Sequence, residues 1–254
     1  DLLYEGETPP PKGVKKSEWS KKKHILFKSK SFGDDEDRVV KKHDGSWTYF
    51  MPDIAYHKDK FNRGFCKMIN IWGADHSGYI SRVTSAVNAV TNSKSNLEVK
   101  VCQLVRLMRS GNVIKMSKRS GSFITLRDLV DEVGSDAVRF MMVTRKNDAP
   151  LDFDYDLVKE QTKDNPIFYI QYAHARISSI IRKVRDEKLF IIDENLINDT
   201  NLSLLANYHD IELIKIISSF PRIIEQSAIY REPHGVAFYL RDLASSFHSY
   251  WNLG

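Results

Sequence analysis

The chain reads as an α/β protein: residues 1–164 mix strands and helices, and residues 165–254 are α-helical. Two observations predict this. Between residues 65 and 108 an apolar run, a glycine-containing turn, a stretch of helical period and a second Val- and Leu-rich run follow one another, which is the pattern of a βαβ unit. After Asn165-Pro166 only long helical periodicities remain.

Taken in order, residues 1–23 pass through Pro9-Pro10-Pro11-Lys12-Gly13 and close on Lys21-Lys22-Lys23, a composition of extended surface chain. Short strands are predicted at 25–27 and 38–40, joined by the acidic connection Gly33-Asp34-Asp35-Glu36-Asp37. His43-Asp44-Gly45-Ser46 supplies a tight hairpin turn, with 47–50 as the returning strand. Pro52 opens a helix, because its missing N–H costs nothing in a first turn, and Gly64 closes it. A strand at 65–72 leads into the turn Gly73-Ala74-Asp75-His76-Ser77-Gly78-Tyr79. Ile80, Val83, Ala86, Val87 and Val90 then mark one helix face. The alternation from 97 to 108 reads as a single strand, after which Ser110-Gly111-Asn112 turns the chain toward Lys115. Ligands bind beyond the carboxyl ends of strands in open parallel sheets, so residues 73–79 and the approach to 115–121 are expected on one rim.

Thr125 with Asp128 forms a capping-box pattern for a helix ending near Gly134, and Ser135 or Asp136 is the expected cap of the next. The acidic stretch from Asp152 to Asp156 leads into a helix ending near Asp164. Long helices are expected from 167 to 188, from 201 to 229 with a break at Pro221, and from 233 to 251.

With 254 residues, 42% of them hydrophobic, the chain can bury one large core or two modest ones. A net charge of +5 permits a polyanionic partner without demanding one. Cys66 and Cys102 lie far apart in apolar stretches and read as reduced core residues, which suits a cytoplasmic protein with no metal site. No apolar run reaches the roughly 20 residues that span a bilayer, so a membrane partner is not expected. The start at Asp1-Leu2-Leu3-Tyr4, without methionine, reads as that of a fragment.

Three stretches carry candidate chemistry. Lys115-Met116-Ser117-Lys118-Arg119-Ser120-Gly121 concentrates cations and hydroxyls beside a glycine, the makings of a phosphate-handling loop or of an ordinary basic surface loop. Tyr49 and Asp53, four residues apart at a strand-to-helix turn, suit a forked guanidinium; equally, Asp53 suits a helix dipole and Tyr49 a core. Asp75 after Gly73 suits ribose hydroxyls or a helix cap, and His76 and Tyr79 read more readily as structural residues. Among Phe168, Tyr169, Tyr172, His174 and Arg176, nucleic-acid contact competes with core packing, and Phe168 and Tyr172 lean to core.

The order of Trp47-Thr48-Tyr49-Phe50-Met51-Pro52-Asp53-Ile54-Ala55-Tyr56-His57, then Trp72-Gly73-Ala74-Asp75-His76-Ser77-Gly78-Tyr79, then Lys115-Met116-Ser117-Lys118 resembles the bacterial-type arginyl-tRNA synthetases of class I. The likeness runs on through Phe123 to Gly134, Leu151-Asp152-Phe153-Asp154 and Asp164 to Arg176. It implies the second half of a Rossmann-type catalytic domain at 1–164, with the KMSKS loop at 115–121, and the start of an α-helical anticodon-binding domain at 165–254. It further implies L-arginine, ATP with Mg2+, and tRNA(Arg) as substrates and partners of a monomeric ligase. Tyr49 and Asp53 would read the guanidinium; Gly73, Asp75 and His76 the nucleotide; Lys115, Met116, Ser117 and Lys118 the triphosphate, with Lys115, Ser117 and Lys118 catalytic; and Tyr169, His174 and Arg176 the tRNA. Arg119 stands where the family often has serine, and the family's His-x-Gly-His motif does not occur in the chain, so the isolated chain is expected to be inactive. Two competing readings are a noncatalytic RNA-binding module, which has no use for Tyr49 and Asp53, and a cysteine-specific class I synthetase, whose zinc-ligand cysteines two isolated ones do not supply.

Overall fold

The computed structural model describes residues 1–9, 22–116, 123–187 and 202–253. The chain forms two compact units, Asp1–Cys102 and Gln103–Gly254.

The first unit opens with an antiparallel sheet of β1 (Leu3–Glu7), β2 (Lys23–Phe27) and β3 (Arg38–Lys41), in that order, with Leu3 opposite Phe27 and Phe27 opposite Arg38. The turn after β3 is tied by the Lys42 N–H donating to the Ser46 carbonyl at 2.8 Å and by Asp44, whose carboxylate accepts from the Ser46 N–H at 2.9 Å. The returning strand expected at 47–50 does not form. Trp47 makes one bridge to Lys41, and the Thr48 hydroxyl donates to the carbonyls of Val39 (2.8 Å) and Val40 (3.3 Å). The Thr48 N–H also donates to the Val40 carbonyl at 3.0 Å, so the chain anchors to β3 over two residues only and enters helix α1 (Phe50–Asn62) at once. Pro52 is the third residue of that helix, still within the first turn where N–H groups lack partners. Gly64, at φ 96°, follows its end.

Strand β4 (Lys67–Gly73), the 3₁₀ turn Ala74–Tyr79, helix α2 (Ile80–Thr91) and strand β5 (Asn96–Cys102) complete the unit. β4 and β5 run parallel, from Lys67 opposite Asn96 to Gly73 opposite Cys102, so this is the expected βαβ unit. Val83, Ala86 and Val87 of α2 are buried against Phe27, Val40, Phe50 and Ile54. The strand expected to run from 97 to 108 instead ends at Cys102: the Gln103 N–H donates to the Asn147 carbonyl at 2.7 Å, and the next strand joins a different sheet.

In the second unit β6 (Val105–Arg109) pairs antiparallel with β7 (Asn112–Val113) and parallel with β8 (Leu151–Asp154). Helices α3 (Leu126–Val133), α4 (Ser135–Val143) and α5 (Tyr155–Lys159) pack here around buried Leu107, Leu129, Val138, Phe153 and Tyr155. The capping box is present: the Asp128 N–H donates to Thr125 Oγ1 at 3.1 Å, and the Thr125 N–H to the Asp128 carboxylate at 2.8 Å. Thr125→Ala is therefore expected to lower the melting temperature by roughly 2–4 °C, measured by differential scanning calorimetry. Neither Ser135 nor Asp136 caps α4; Gly134 occupies that position at φ 87° and also ends α3, a double duty that positive φ makes possible. α5 stops at Lys159, short of the expected Asp164.

Helix α6 (Pro166–Asp186) begins where expected, with the Asn165 side chain accepting from the Ile167 N–H at 3.0 Å and Pro166 in the first turn. The loop expected around 193–199 lies outside the described residues. α7 (Tyr208–Ser218), α8 (Phe220–Tyr230) and α9 (His234–Trp251) follow, with the break at Ser219 just before Phe220-Pro221. No helix among the described residues is long and apolar enough to cross a membrane.

Candidate active site

In the first unit, β4 delivers Gly73 to its carboxyl end, and the chain then turns through Ala74–Tyr79 into α2. The first turn of α1 faces this turn. Between them lies a cleft of about 760 Å³ lined by Arg38, Tyr49, Asp53, Asp75, His76, Tyr79 and Arg82. Tyr49 and Asp53 are one helical turn apart and share a face. The Tyr49 side chain is 93% exposed, leaving its hydroxyl open at the cleft, whereas Asp53 is half-buried.

The Asp53 carboxylate does not cap its helix; its Oδ2 accepts from the Tyr79 hydroxyl at 3.0 Å. Burial, then the bond to Asp53, push the Tyr79 phenol well above its ordinary value, so it acts as a donor at any physiological pH. The Asp53 carbonyl lies 2.7 Å from His57 Nδ1. A carbonyl only accepts, so Nδ1 carries the proton and Nε2 accepts from the Asn70 amide at 2.9 Å. Buried His57 thus pegs α1 to β4.

Two arginines line the same cleft, yet neither neutralises Asp53. Arg38 holds Asp34 in a two-point fork, Nε to Oδ2 at 2.8 Å and Nη2 to Oδ1 at 2.9 Å, and also bonds Asp35 and Glu36. The Arg82 guanidinium lies over the Tyr79 ring, 4.9 Å from its centre. Among the described residues no cation pairs with Asp53, which leaves a half-buried negative charge in a cleft open to a cationic ligand.

Gly73 has a local reason to lack a side chain: a Cβ there would stand 2.6 Å from Asp75 Oδ1. Asp75 caps no helix end, and it lies exposed beside His76, 3.5 Å from His76 Nε2. Both remain available to a ligand.

The approach to the lysine loop belongs to the second unit. Ser110 and Gly111 link β6 to β7 as a two-residue turn with both φ values positive, 50° and 75°. Asp154 accepts from the Gly111 N–H at 2.8 Å, and Asp156 from the Ser110 hydroxyl at 2.6 Å. Asp152 forks onto Arg106 at 2.6 and 2.8 Å. The acidic stretch read from the sequence therefore clamps the hairpin that leads to Lys115. Lys115 and Met116 are exposed. Ser117 and Lys118, with the rest of the loop to Gly121, lie outside the described residues.

On α6, Tyr169 packs its ring 4.6 Å from that of His248, and Arg176 lies 4.4 Å over Tyr172 and 5.9 Å from the Trp251 ring. These side chains face the seam with α9, while His174 is exposed. Phe168 and Tyr172 stack on each other, although Tyr172 keeps 43% of its surface. Two features of the cleft escape sequence reasoning: the Tyr79 hydroxyl bond to Asp53, and the presence of Arg38 and Arg82.

The model for tRNA synthetases class I (R), catalytic domain, matches residues 16–181. The chain belongs to that family. The DALR anticodon binding domain model matches residues 170–253. An arginine–tRNA ligase of Parvibaculum lavamentivorans is 54% identical over 253 residues, 100% of this chain and 43% of the relative. One from Bartonella henselae is 54% identical over 255 residues, 99% of this chain and 43% of the relative. A Campylobacter jejuni structure described as an arginyl tRNA synthetase superposes with a TM-score of 0.76 at 34% identity, over 91% of this chain and 49% of that one. The Thermus thermophilus arginyl-tRNA synthetase shares the fold, with a TM-score of 0.67 at 19% identity over 90% of this chain and 45% of that one. The chain thus spans less than half the length of the relatives it matches.

Proposed function

We propose that this chain is the arginine-reading part of an arginine–tRNA ligase, which joins L-arginine to ATP as arginyl-adenylate and passes it to tRNA(Arg). The observation that carries this reading is Asp53, a half-buried carboxylate without a cationic partner among the described residues, in a cleft that already holds two arginines engaged elsewhere. Guanidinium is planar, forked and permanently charged, and a carboxylate takes two of its N–H donors. The exposed Tyr49 hydroxyl adds a further hydrogen bond.

In the first step an arginine carboxylate oxygen attacks the α-phosphorus of ATP, the bond to the β-phosphate bridge breaks, and pyrophosphate leaves. Gly73, Asp75 and His76 serve the nucleotide, with Asp75 accepting from ribose hydroxyls. Lys115, Met116, Ser117 and Lys118 follow the triphosphate, the lysines meeting charge as it moves toward pyrophosphate. Mg2+ travels with the phosphates as part of the nucleotide substrate. In the second step a terminal tRNA hydroxyl attacks the adenylate carbonyl and AMP leaves. We place the catalytic part at 1–164 with a Rossmann-type sheet and the anticodon-binding part at 165–254, working as a cytoplasmic monomer. On α6, the exposed His174 is open to tRNA, while Tyr169 and Arg176 pack toward α9.

The test is ATP–pyrophosphate exchange with each amino acid in turn, using an enzyme of the relatives' full length that carries this segment. Exchange is expected with arginine alone. Exchange driven by another amino acid, or no arginine-dependent exchange, refutes the reading.

A further inference from the structure

Asp53 has two carboxylate oxygens, and the side chain fixes the direction of neither by itself. Tyr79 does. Its hydroxyl, donated from a residue 26 positions further along the chain, holds Oδ2 at 3.0 Å, and its own ring is held on three sides. Phe50 meets it edge-on at 6.1 Å, Trp72 lies at 5.9 Å, and the Arg82 guanidinium covers it at 4.9 Å. Such a ring has little freedom, so the carboxylate it grips inherits a fixed plane.

We propose that Tyr79 is a positioning residue for arginine: it immobilises the Asp53 carboxylate through Oδ2 so that the remaining acceptor capacity presents a pre-set fork to the incoming guanidinium. This rests on the reading of Asp53 given above. A forked ligand needs two acceptor directions correct at once, whereas a point charge such as the lysine ammonium accepts any carboxylate rotamer. Tyr79 therefore contributes to selectivity for guanidinium over ammonium as well as to affinity. Arg82 adds a second effect. By covering Tyr79 it keeps the phenol in place and occupies its own guanidinium, so that Arg82 does not fill the site meant for the ligand.

The experiment uses an enzyme of the relatives' full length carrying this segment and measures kcat/KM for arginine in ATP–pyrophosphate exchange. Tyr79→Phe keeps the ring and its packing and removes only the donor. With Asp53 present it is expected to lower arginine kcat/KM by roughly two- to tenfold, the range for freeing one pre-ordered side chain, while the KM for ATP stays unchanged. The inhibition constant of lysine is expected to stay unchanged, so the arginine-over-lysine ratio falls. In an Asp53→Ala background, where no carboxylate remains to be held, Tyr79→Phe is expected to change arginine kcat/KM less than twofold. An equal factor in both backgrounds shows that Tyr79 acts by packing alone and overturns the proposal, as does no change with Asp53 present. Failure of the underlying reading looks different: Asp53→Ala by itself would then leave arginine kcat/KM intact.

Discussion

Asp53→Asn is expected to weaken L-arginine binding by roughly ten- to a hundredfold, the equivalent of one charge-assisted hydrogen-bond pair at a half-buried carboxylate. The structure explains why so small a change has so large an effect. The Tyr79 hydroxyl donates to Oδ2, so in the variant it selects the amide oxygen of asparagine as its acceptor. The amide NH2 then turns toward the guanidinium, donor against donor. ATP affinity is expected to stay near wild type. Calorimetry with arginine and with ATP, alongside thermal melts, decides the matter. Unchanged arginine affinity with a lowered melting point would reduce Asp53 to a residue that complements the dipole of α1.

The elements that were legible in the sequence are those whose determinants are local. The period of Val83, Ala86 and Val87 marks the buried face of α2, Thr125 and Asp128 close their own capping box, and Asn165-Pro166 starts α6. Each needs only residues within a turn or two. The errors fall where a distant partner decides. Residues 97–108 read as one strand because both ends are rich in Val and Leu, but the alternation loses its phase at Cys102-Gln103-Leu104, and there the chain changes sheets, the Gln103 N–H being taken by Asn147. Trp47 to Phe50 has strand composition, but Thr48 satisfies the Val40 carbonyl with its N–H and the Val39 carbonyl with its hydroxyl, and the helix begins instead.

The cleft shows the same division. Tyr49 and Asp53 were readable as a pair because four residues separate them, the spacing of one helix face. Tyr79 was read as packing, which its ring does perform; its hydroxyl acquires a role only when α1 is brought against the turn that precedes α2. The acidic connection Asp34-Asp35-Glu36 was read only as a link between two short strands. In the structure it surrounds Arg38, and the composition alone gave no sign that Asp34 lies inside the protein.

Asp34→Ala is accordingly expected to cost about 2–4 kcal/mol of stability, the order expected when one member of a buried ion pair is removed and the other keeps some partners. The Asp34 side chain is fully covered and Arg38 is 13% exposed, so water replaces the lost carboxylate poorly; Asp35 and Glu36 retain part of the guanidinium's bonding. Asp34 also accepts from the Asp35 N–H at 2.8 Å, so the loop loses an internal tie as well. The pH dependence gives an independent check. Hydrogen bonds from Arg38, against the opposing effect of burial, hold the Asp34 carboxyl far below the usual carboxylate range. A carboxylate whose folded value is depressed contributes stability that is fully present above its unfolded value, about 3.9, and is lost as pH falls through the folded one. Urea denaturation of wild type and Asp34→Ala should therefore differ by the full amount at neutral pH, and the gap should narrow below about pH 4. Because Arg38 lines the same cleft as Asp53, its release also brings a competing guanidinium within the ligand's surroundings. Arginine affinity in the variant should then fall while the protein remains folded, and a variant with full stability at neutral pH would show that the Asp34–Arg38 fork does not hold this part of the fold together.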